Sequence, residues 1–217
     1  MHVEIWSDIA CPWCYVGKRR FEAALAAFEH RDEVRVTWRS FELDPGAPAA
    51  REHSGAEHLA EKYGMSVEEA RARQAQMAEM AVGDGIEMRS EETRGANTFD
   101  GHRLLQHAAR HGLQTEMKER VMRAYHTEGE LVSDHDTLVR LAAEVGLDAD
   151  EVRGMLASDR FATEVRDDEQ TASALGISAV PCFVIDRRFG APGAQPPEVL
   201  TAFLQRGWDA RSPLEVS

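Results

Sequence analysis

Four consecutive residues concentrate the chemistry of this chain: Cys11-Pro12-Trp13-Cys14. They lie between an apolar β-type run (3–9) and an amphipathic helical pattern (15–30). Two thiols at this spacing, wound into one helical turn, bring their sulfurs close enough to bridge. The unpaired N–H groups and the positive dipole end at a helix start favour a thiolate on Cys11. Pro12 suits the first turn, where its missing N–H would have had no partner. Redox exchange is the chemistry these residue types support.

The elements that must hold the motif read clearly on both sides. Residues 3–9 are predicted as a buried strand. The helix after the motif carries Phe21, Leu25 and Phe28 on one face, as a helix packed on a sheet requires. Val34-Arg35-Val36-Thr37-Trp38-Arg39 alternates strictly and predicts a second, half-buried strand. Asp44-Pro45-Gly46 closes this β-α-β unit. A right-handed crossover would make the two strands parallel. Between about 47 and 175 the β signal vanishes and helices follow one another. Ser66 with Glu69 reads as a capping box whose helix stops near Gly83. Asn97 is predicted to cap a helix ending at Gly112. A helix over 115–128 turns Met117, Val121 and Tyr125 to one side. Ser133 with Asp136 is predicted to start a helix that stops at Gly146. A short helix holds Val152 and Leu156, and another runs over 161–175. The β signal then returns at 182–186, with 189–191 as its antiparallel partner. A last helix after Pro196-Pro197 turns Val199, Leu200, Phe203 and Leu204 inward. The expected organisation is an α/β domain made of 1–44 and 165–217, interrupted by an all-helical insertion over 45–164.

Composition narrows the function classes. The 217 residues are 43% hydrophobic and 29% charged, an ordinary globular balance. The net charge of −13 argues against nucleic acid or an anionic membrane as main partner. The N-terminus lacks the basic flank and apolar core of a secretory signal, so a cytoplasmic setting is expected. Three cysteines are too few for a disulfide framework, and no second CxxC pair completes a zinc site. No metal or cofactor is expected beyond the dithiol itself.

The motif and its flanks resemble a known family. CPWC after a first strand, a helical insertion, and Val180-Pro181 before a strand, hairpin and helix look like the DsbA-type thioredoxin fold. The stretches WSDIACPWCYVGKRRFE, RSFELDPG, NTFDGHRLL, AYHTEGELVSD and VPCFVIDRRFGAPGAQP resemble the FrnE-like branch of that family. The resemblance implies a thiol–disulfide oxidoreductase, some members being isomerases and some associated with polyketide pathways. It implies that Pro181 is cis and faces the CxxC sulfurs. Cys11 is then the nucleophile and Cys14 the resolving thiol. The backbone of Val180 would pair with an extended substrate by β-augmentation. Pro12 and Trp13 would tune the couple and line the substrate surface. Trp13 adds no charge, so an intermediate redox poise is expected. Expected partners are protein thiols or a small thiol such as glutathione, with a recycling reductant or oxidant.

Two positions depart from the family pattern. Cys182 stands where relatives usually carry an aromatic residue. Strand alternation turns it away from the dithiol and into the core. The buried acid that thioredoxin-type proteins place six residues before the first cysteine is replaced by Ile5. Glu4 and Asp8 are near but at other spacings, so the proton of Cys14 must travel through water or a different carboxylate. His102, His107 and His111 share a helix, and the last two are one turn apart. With no HExxH pattern they read as exposed helix histidines. Arg187-Arg188 could attract an anionic thiol but reads as solvated turn, and the methionines from Met65 to Met88 read as helix packing. A different function on the same scaffold is a glutathione-dependent small-molecule isomerase or transferase, of the 2-hydroxychromene-2-carboxylate isomerase or kappa type. A third is a binding module whose dithiol holds metal or senses oxidants.

Overall fold

The computed structural model describes residues 1–91 and 93–211 of the chain. Its sheet is built around the first strand, β1 (His2–Ser7), which is buried on both faces and must be covered on both. β1 runs parallel to β2 (Arg35–Ser40) and antiparallel to β3 (Cys182–Ile185), which pairs antiparallel with β4 (Phe189–Pro192). The order is β2-β1-β3-β4. Ile5 lies opposite Trp38 on one side and Phe183 on the other.

Each face has its own cover. α1 (Pro12–Ala27) and α9 (Pro197–Asp209) pack Phe21, Phe28, Leu200 and Leu204 on Val3, Ile5, Phe183 and Ile185. On the opposite face Trp6, Cys182 and Val184 meet Ala172 of α8 (Ala162–Ala174). Between β2 and α8 lie α2 (Gly55–Tyr63), α3 (Val67–Val82), α4 (Phe99–Arg110), α5 (Gln114–His126), α6 (His135–Val145) and α7 (Ala149–Leu156). Leu104, Met117, Val121, Leu138, Leu141, Val152 and Met155 give α4 to α7 a core of their own.

Polar ties join these helices to the sheet. Gln114 accepts a hydrogen bond from the Trp38 N–H at 3.0 Å and donates one to the Trp38 carbonyl at 2.9 Å. The Asp168 carboxylate on α8 accepts from Ser40 N–H, Arg39 and Gln106, at 2.9, 2.9 and 2.6 Å. Glu119 of α5 accepts from Tyr15, Lys18 and Arg19 of α1 at 2.8, 2.5 and 2.5 Å, binding the motif's helix to the insertion.

Several local expectations shift. β1 ends at Ser7, leaving Asp8, Ile9 and Ala10 as a loop, while α1 starts at Pro12, so that the proline occupies the first turn as expected. Thr98, not Asn97, is the N-cap of α4. Its hydroxyl is given to Asp8, while Asn97 Oδ1 accepts the Phe99 N–H. Asp134, not Ser133, caps α6 by accepting from Thr137 N–H. Val199 points outward at 44% exposure, because the stripe of α9 on the sheet is Leu200 and Leu204. α2, with a full capping box of Ser54 and Glu57, was not expected.

α1 lies unusually close to the strand that follows Pro181. A Cβ on Gly17 would come within 2.8 Å of Pro181 Cγ and 3.5 Å of Phe183 Cζ. Gly154, inside α7, would meet nothing within 4 Å. We therefore expect Gly17→Ala to lower stability by about 1–3 kcal/mol through overpacking. Gly154→Ala should raise it by up to about 1 kcal/mol through helix propensity. Thermal unfolding of the two variants side by side checks both signs.

Candidate active site

Local geometry sets the two thiols apart. Cys11 is the N-cap of α1, extended at φ −87° and ψ 113°, with its carbonyl accepting the Cys14 N–H at 3.1 Å and the Tyr15 N–H at 3.3 Å. Cys11 is 5% exposed and Cys14 is fully buried; neither they nor Cys182 is in a disulfide. Cys11 Sγ lies 3.8 Å from the carbonyl oxygen of Val180, to which its thiol donates. The Val180–Pro181 peptide bond is cis. Val180 and Pro12 are half-buried, and Trp13 stands out at 46% exposure. The structure thus brings Cys11, Cys14 and Val180 together, with Pro181 packed over Gly17 of α1.

The apolar wall around the sulfurs comes largely from the insertion. Ala81, Ile86 and Met122 pack with Cys11, Cys14, Tyr15 and Val16, and Met77, Met88 and Val180 lie against them. Two of the methionines read as helix packing therefore border the dithiol. Cys182 belongs to the Trp6 cluster on the far face, where burial pushes its thiol up.

Beneath the motif is a polar knot. Asp8 is 2% exposed. Its Oδ1 accepts from the Thr98 hydroxyl at 2.9 Å and the Ala10 N–H at 3.4 Å, and His102 Nε2 lies 3.3 Å away. Its Oδ2 accepts from the Leu43 N–H at 2.8 Å. Burial alone would push this carboxyl up, but His102, Leu43 and Thr98 outweigh it and hold Asp8 below the ordinary 3.8. Glu4, the other nearby acid, is taken by Arg39 and Arg187.

α5 contributes two buried bases that the sequence reading missed. Lys118 is fully buried, its Nζ 3.4 Å from the Ser7 carbonyl and 6.0 Å from the Trp38 ring. Burial pulls it down to about 8, opposed by the charges of Cys14, Asp8 and Cys11. His126 is pulled down to about 4 by burial, so it is neutral, and its Nε2 lies 2.9 Å from the Ile9 carbonyl that it must donate to. Burial also pushes Cys14 well up, with the Cys11 thiol beside it adding to the effect and Lys118 opposing it. The available signal was spacing: Lys118, Met122 and His126 fall at successive i+4 positions, one stripe of α5 facing the motif.

Other expected positions move. His102 and His107 are buried, not exposed, because α4 is covered by Asp8 on one side and by α7 and Phe161 on the other. Arg187 and Arg188 are exposed turn surface as expected, and Arg187 in addition bonds the buried Glu4 carboxylate at 3.1 Å.

Removing the Asp8 carboxylate leaves the Leu43 N–H, the Thr98 hydroxyl and His102 without their shared acceptor. Asp8→Ala should cost about 2–5 kcal/mol. Because folding lowers the Asp8 pKa, its contribution is present above 3.8 and fades as pH falls through the folded value. Denaturant titrations should therefore show the gap between wild type and variant narrowing in acid.

Comparison with known proteins places this geometry. The model of the DsbA-like thioredoxin domain family matches residues 2–205. The structure described as a probable DsbA oxidoreductase, SCO1869 from Streptomyces coelicolor, is similar at 47% identity and a TM-score of 0.94, over all of this chain and 94% of that one. YwbO of Bacillus subtilis strain 168 is 26% identical, covering 85% of this chain and 86% of its own. The cytosolic disulfide reductase DsbM of Pseudomonas aeruginosa, determined with GSH, shares the fold at 20% identity and a TM-score of 0.65, over 96% of this chain and all of that one. With a dithiol at the start of α1, a β-α-β unit joined by helices to a β-hairpin and helix, and a family match along nearly its whole length, the chain belongs to the DsbA-like thioredoxin domain family.

Proposed function

We propose that this chain is a thiol–disulfide oxidoreductase and disulfide isomerase acting on protein thiols through Cys11 and Cys14. The observation that carries the reading is the placement of the sulfurs: Cys11 at the helix start, 3.8 Å from the Val180 carbonyl, and Cys14 sealed one turn behind it. The Cys11 thiolate attacks one sulfur of a substrate disulfide. That bond breaks, its other sulfur leaves as a thiolate, and a mixed disulfide forms. Cys14 then loses its proton and attacks Cys11 Sγ, closing Cys11–Cys14 and freeing the second substrate sulfur. The substrate gains two electrons and the dithiol loses two. Run backwards, the same steps oxidise a substrate. If another substrate thiol attacks the mixed disulfide first, the substrate is rearranged with no net electron transfer. Substrate segments lie extended along Val180 by β-augmentation, with Pro12 and Trp13 as an apolar wall. A small thiol of the glutathione class recycles the couple, a choice supported by the likeness to a disulfide reductase determined with GSH. The alternative of a glutathione-dependent small-molecule isomerase is weakened by the second thiol, which such chemistry does not need.

Lys118 answers the question left by Ile5. A buried Cys14 needs a proton acceptor, and a lysine drawn down to about 8 among Cys14, Asp8 and Cys11 supplies one when neutral. The rate at which Cys14 resolves the mixed disulfide should then rise with an inflection near about 8. In Lys118→Met the inflection should disappear and the rate at neutral pH fall. Stability moves the other way. The folded state disfavours the ammonium at all pH below about 8, so Lys118→Met should hold or gain stability at neutral pH, by up to about 3 kcal/mol. A variant that merely loses stability, with the inflection intact, would exclude Lys118 from the proton step.

Equilibration in glutathione buffers with mass-spectrometric readout tests the main proposal. A reversible Cys11–Cys14 couple between about −120 and −270 mV is expected. Cys14→Ser should accumulate the mixed disulfide and Cys11→Ser should form none. Absence of any reversible couple would sink the oxidoreductase reading.

A further inference from the structure

A second chemically equipped cluster lies in the insertion, apart from the dithiol. His107 and His111 are one turn apart on α4, and Glu151 of α7 faces both. Glu151 Oε1 is 4.0 Å from His107 Nε2 and 3.8 Å from His111 Nε2. One potential ligand atom from each residue fits within a mutual separation of 4.8 Å. The two histidines read as exposed for want of an HExxH pattern, and the carboxylate that reaches them comes from another helix.

The independent observation is the state of His107. Its side chain is 1% exposed, yet neither ring nitrogen has a hydrogen-bond partner. A buried imidazole without a partner is costly, and such groups are rare unless they serve something. The ring is held in place by His111, at 4.7 Å between centroids, and by Phe161 edge-on at 5.6 Å. We propose that His107, His111 and Glu151 form a binding site for a divalent first-row transition-metal ion of the zinc class.

The chemistry fits that class. Two imidazoles and one carboxylate are a recurrent set for Zn²⁺ and leave a coordination position open. Tetrahedral Zn²⁺ with bonds of about 2.0–2.1 Å needs ligand atoms only about 3.3 Å apart. The cluster is wider, with Glu151 Oε1 at 4.0 and 3.8 Å from the two ring nitrogens and the set spanning up to 4.8 Å, a gap that His111 and Glu151, 39% and 41% exposed, can close by side-chain rotations. Arg160 lies 3.8 Å from the same carboxylate oxygen and is half-exposed. On binding it can pass to the other oxygen and orient the carboxylate. The ion would clip α4 to α7 on the side of α4 away from Asp8.

The test is calorimetric titration of Zn²⁺ into full-length Cys11→Ser/Cys14→Ser protein, in which the motif thiols cannot compete. One ion per chain with a Kd on the order of micromolar is expected. His111→Ala and Glu151→Gln alter exposed side chains and should leave the fold intact, while each weakens binding by roughly tenfold or more. His58→Ala, in a separate surface cluster, should change nothing. Histidine ring NMR should show the nitrogens of His107 and His111 shifting together on titration. Failure to bind at that stoichiometry, or binding that survives both His111→Ala and Glu151→Gln, would overturn the site.

Discussion

A buried carboxylate must be satisfied on every side or it will not stay charged, and Asp8 is satisfied by pieces of chain that are far apart in sequence. Its partners are the Leu43 N–H after β2, the Thr98 hydroxyl and His102 at the start of α4, and the Ala10 N–H just before the motif. These contacts fix the loop from Asp8 to Ala10, and that loop sets where Cys11 starts α1. The same residue gives Cys14 a backbone hydrogen bond and faces Lys118. Removing any donor therefore affects both the anchoring of the insertion and the electrostatics under the sulfurs. Lys118, buried nearby, sets a base against the Asp8 charge, which an isolated Asp8 would lack.

What the sequence disclosed follows from the range of the forces involved. Capping is local, so Ser66 with Glu69 was readable, and Ser54 with Glu57 carries the same signature and could have been read. Periodicity is local too: the strands and the inward stripe of α5 follow from apolar spacing, while in α9 the spacing found Leu200 and Leu204 but wrongly turned Val199 inward. Thr98 was misread because its hydroxyl serves a residue ninety positions away rather than its own helix. Lys118 and His126 share a stripe of α5 with Met122, but spacing alone does not say what that stripe faces. A charged residue on a helix reads as solvated unless the partner across the gap is known, and theirs are Ser7, Cys14 and Ile9 on another element. The motif was legible; the environment that sets its proton chemistry was not.

The insertion does two separate jobs. Its larger part, α4 to α7, holds together through a core of its own that includes Leu104, Val121, Leu138 and Val152. A second set, Ala81, Ile86, Met122 and Lys118, is spent on the pocket around Cys11 and Cys14. The link between the two is α5, which presents Met117 and Val121 to the helical core while Lys118, Glu119 and Met122 reach the sheet side. A shift of α5 would move the pocket wall, the Lys118 ammonium and the Glu119 anchor of α1 together.

Gln114 has a consequence of another kind. In β2, Trp38 and Ser40 turn their N–H groups away from β1, toward what would otherwise be a bare margin of the sheet. A glutamine amide, donor and acceptor together, closes both polar groups of Trp38, and Asp168 closes the next outward N–H at Ser40. Side chains from two helices thus imitate a neighbouring strand without providing one. An unpaired sheet margin is a place where another extended chain can attach and seed aggregates. Capped at Trp38 and Ser40, this flank of the sheet is closed to a further strand at the positions where one would have to begin pairing.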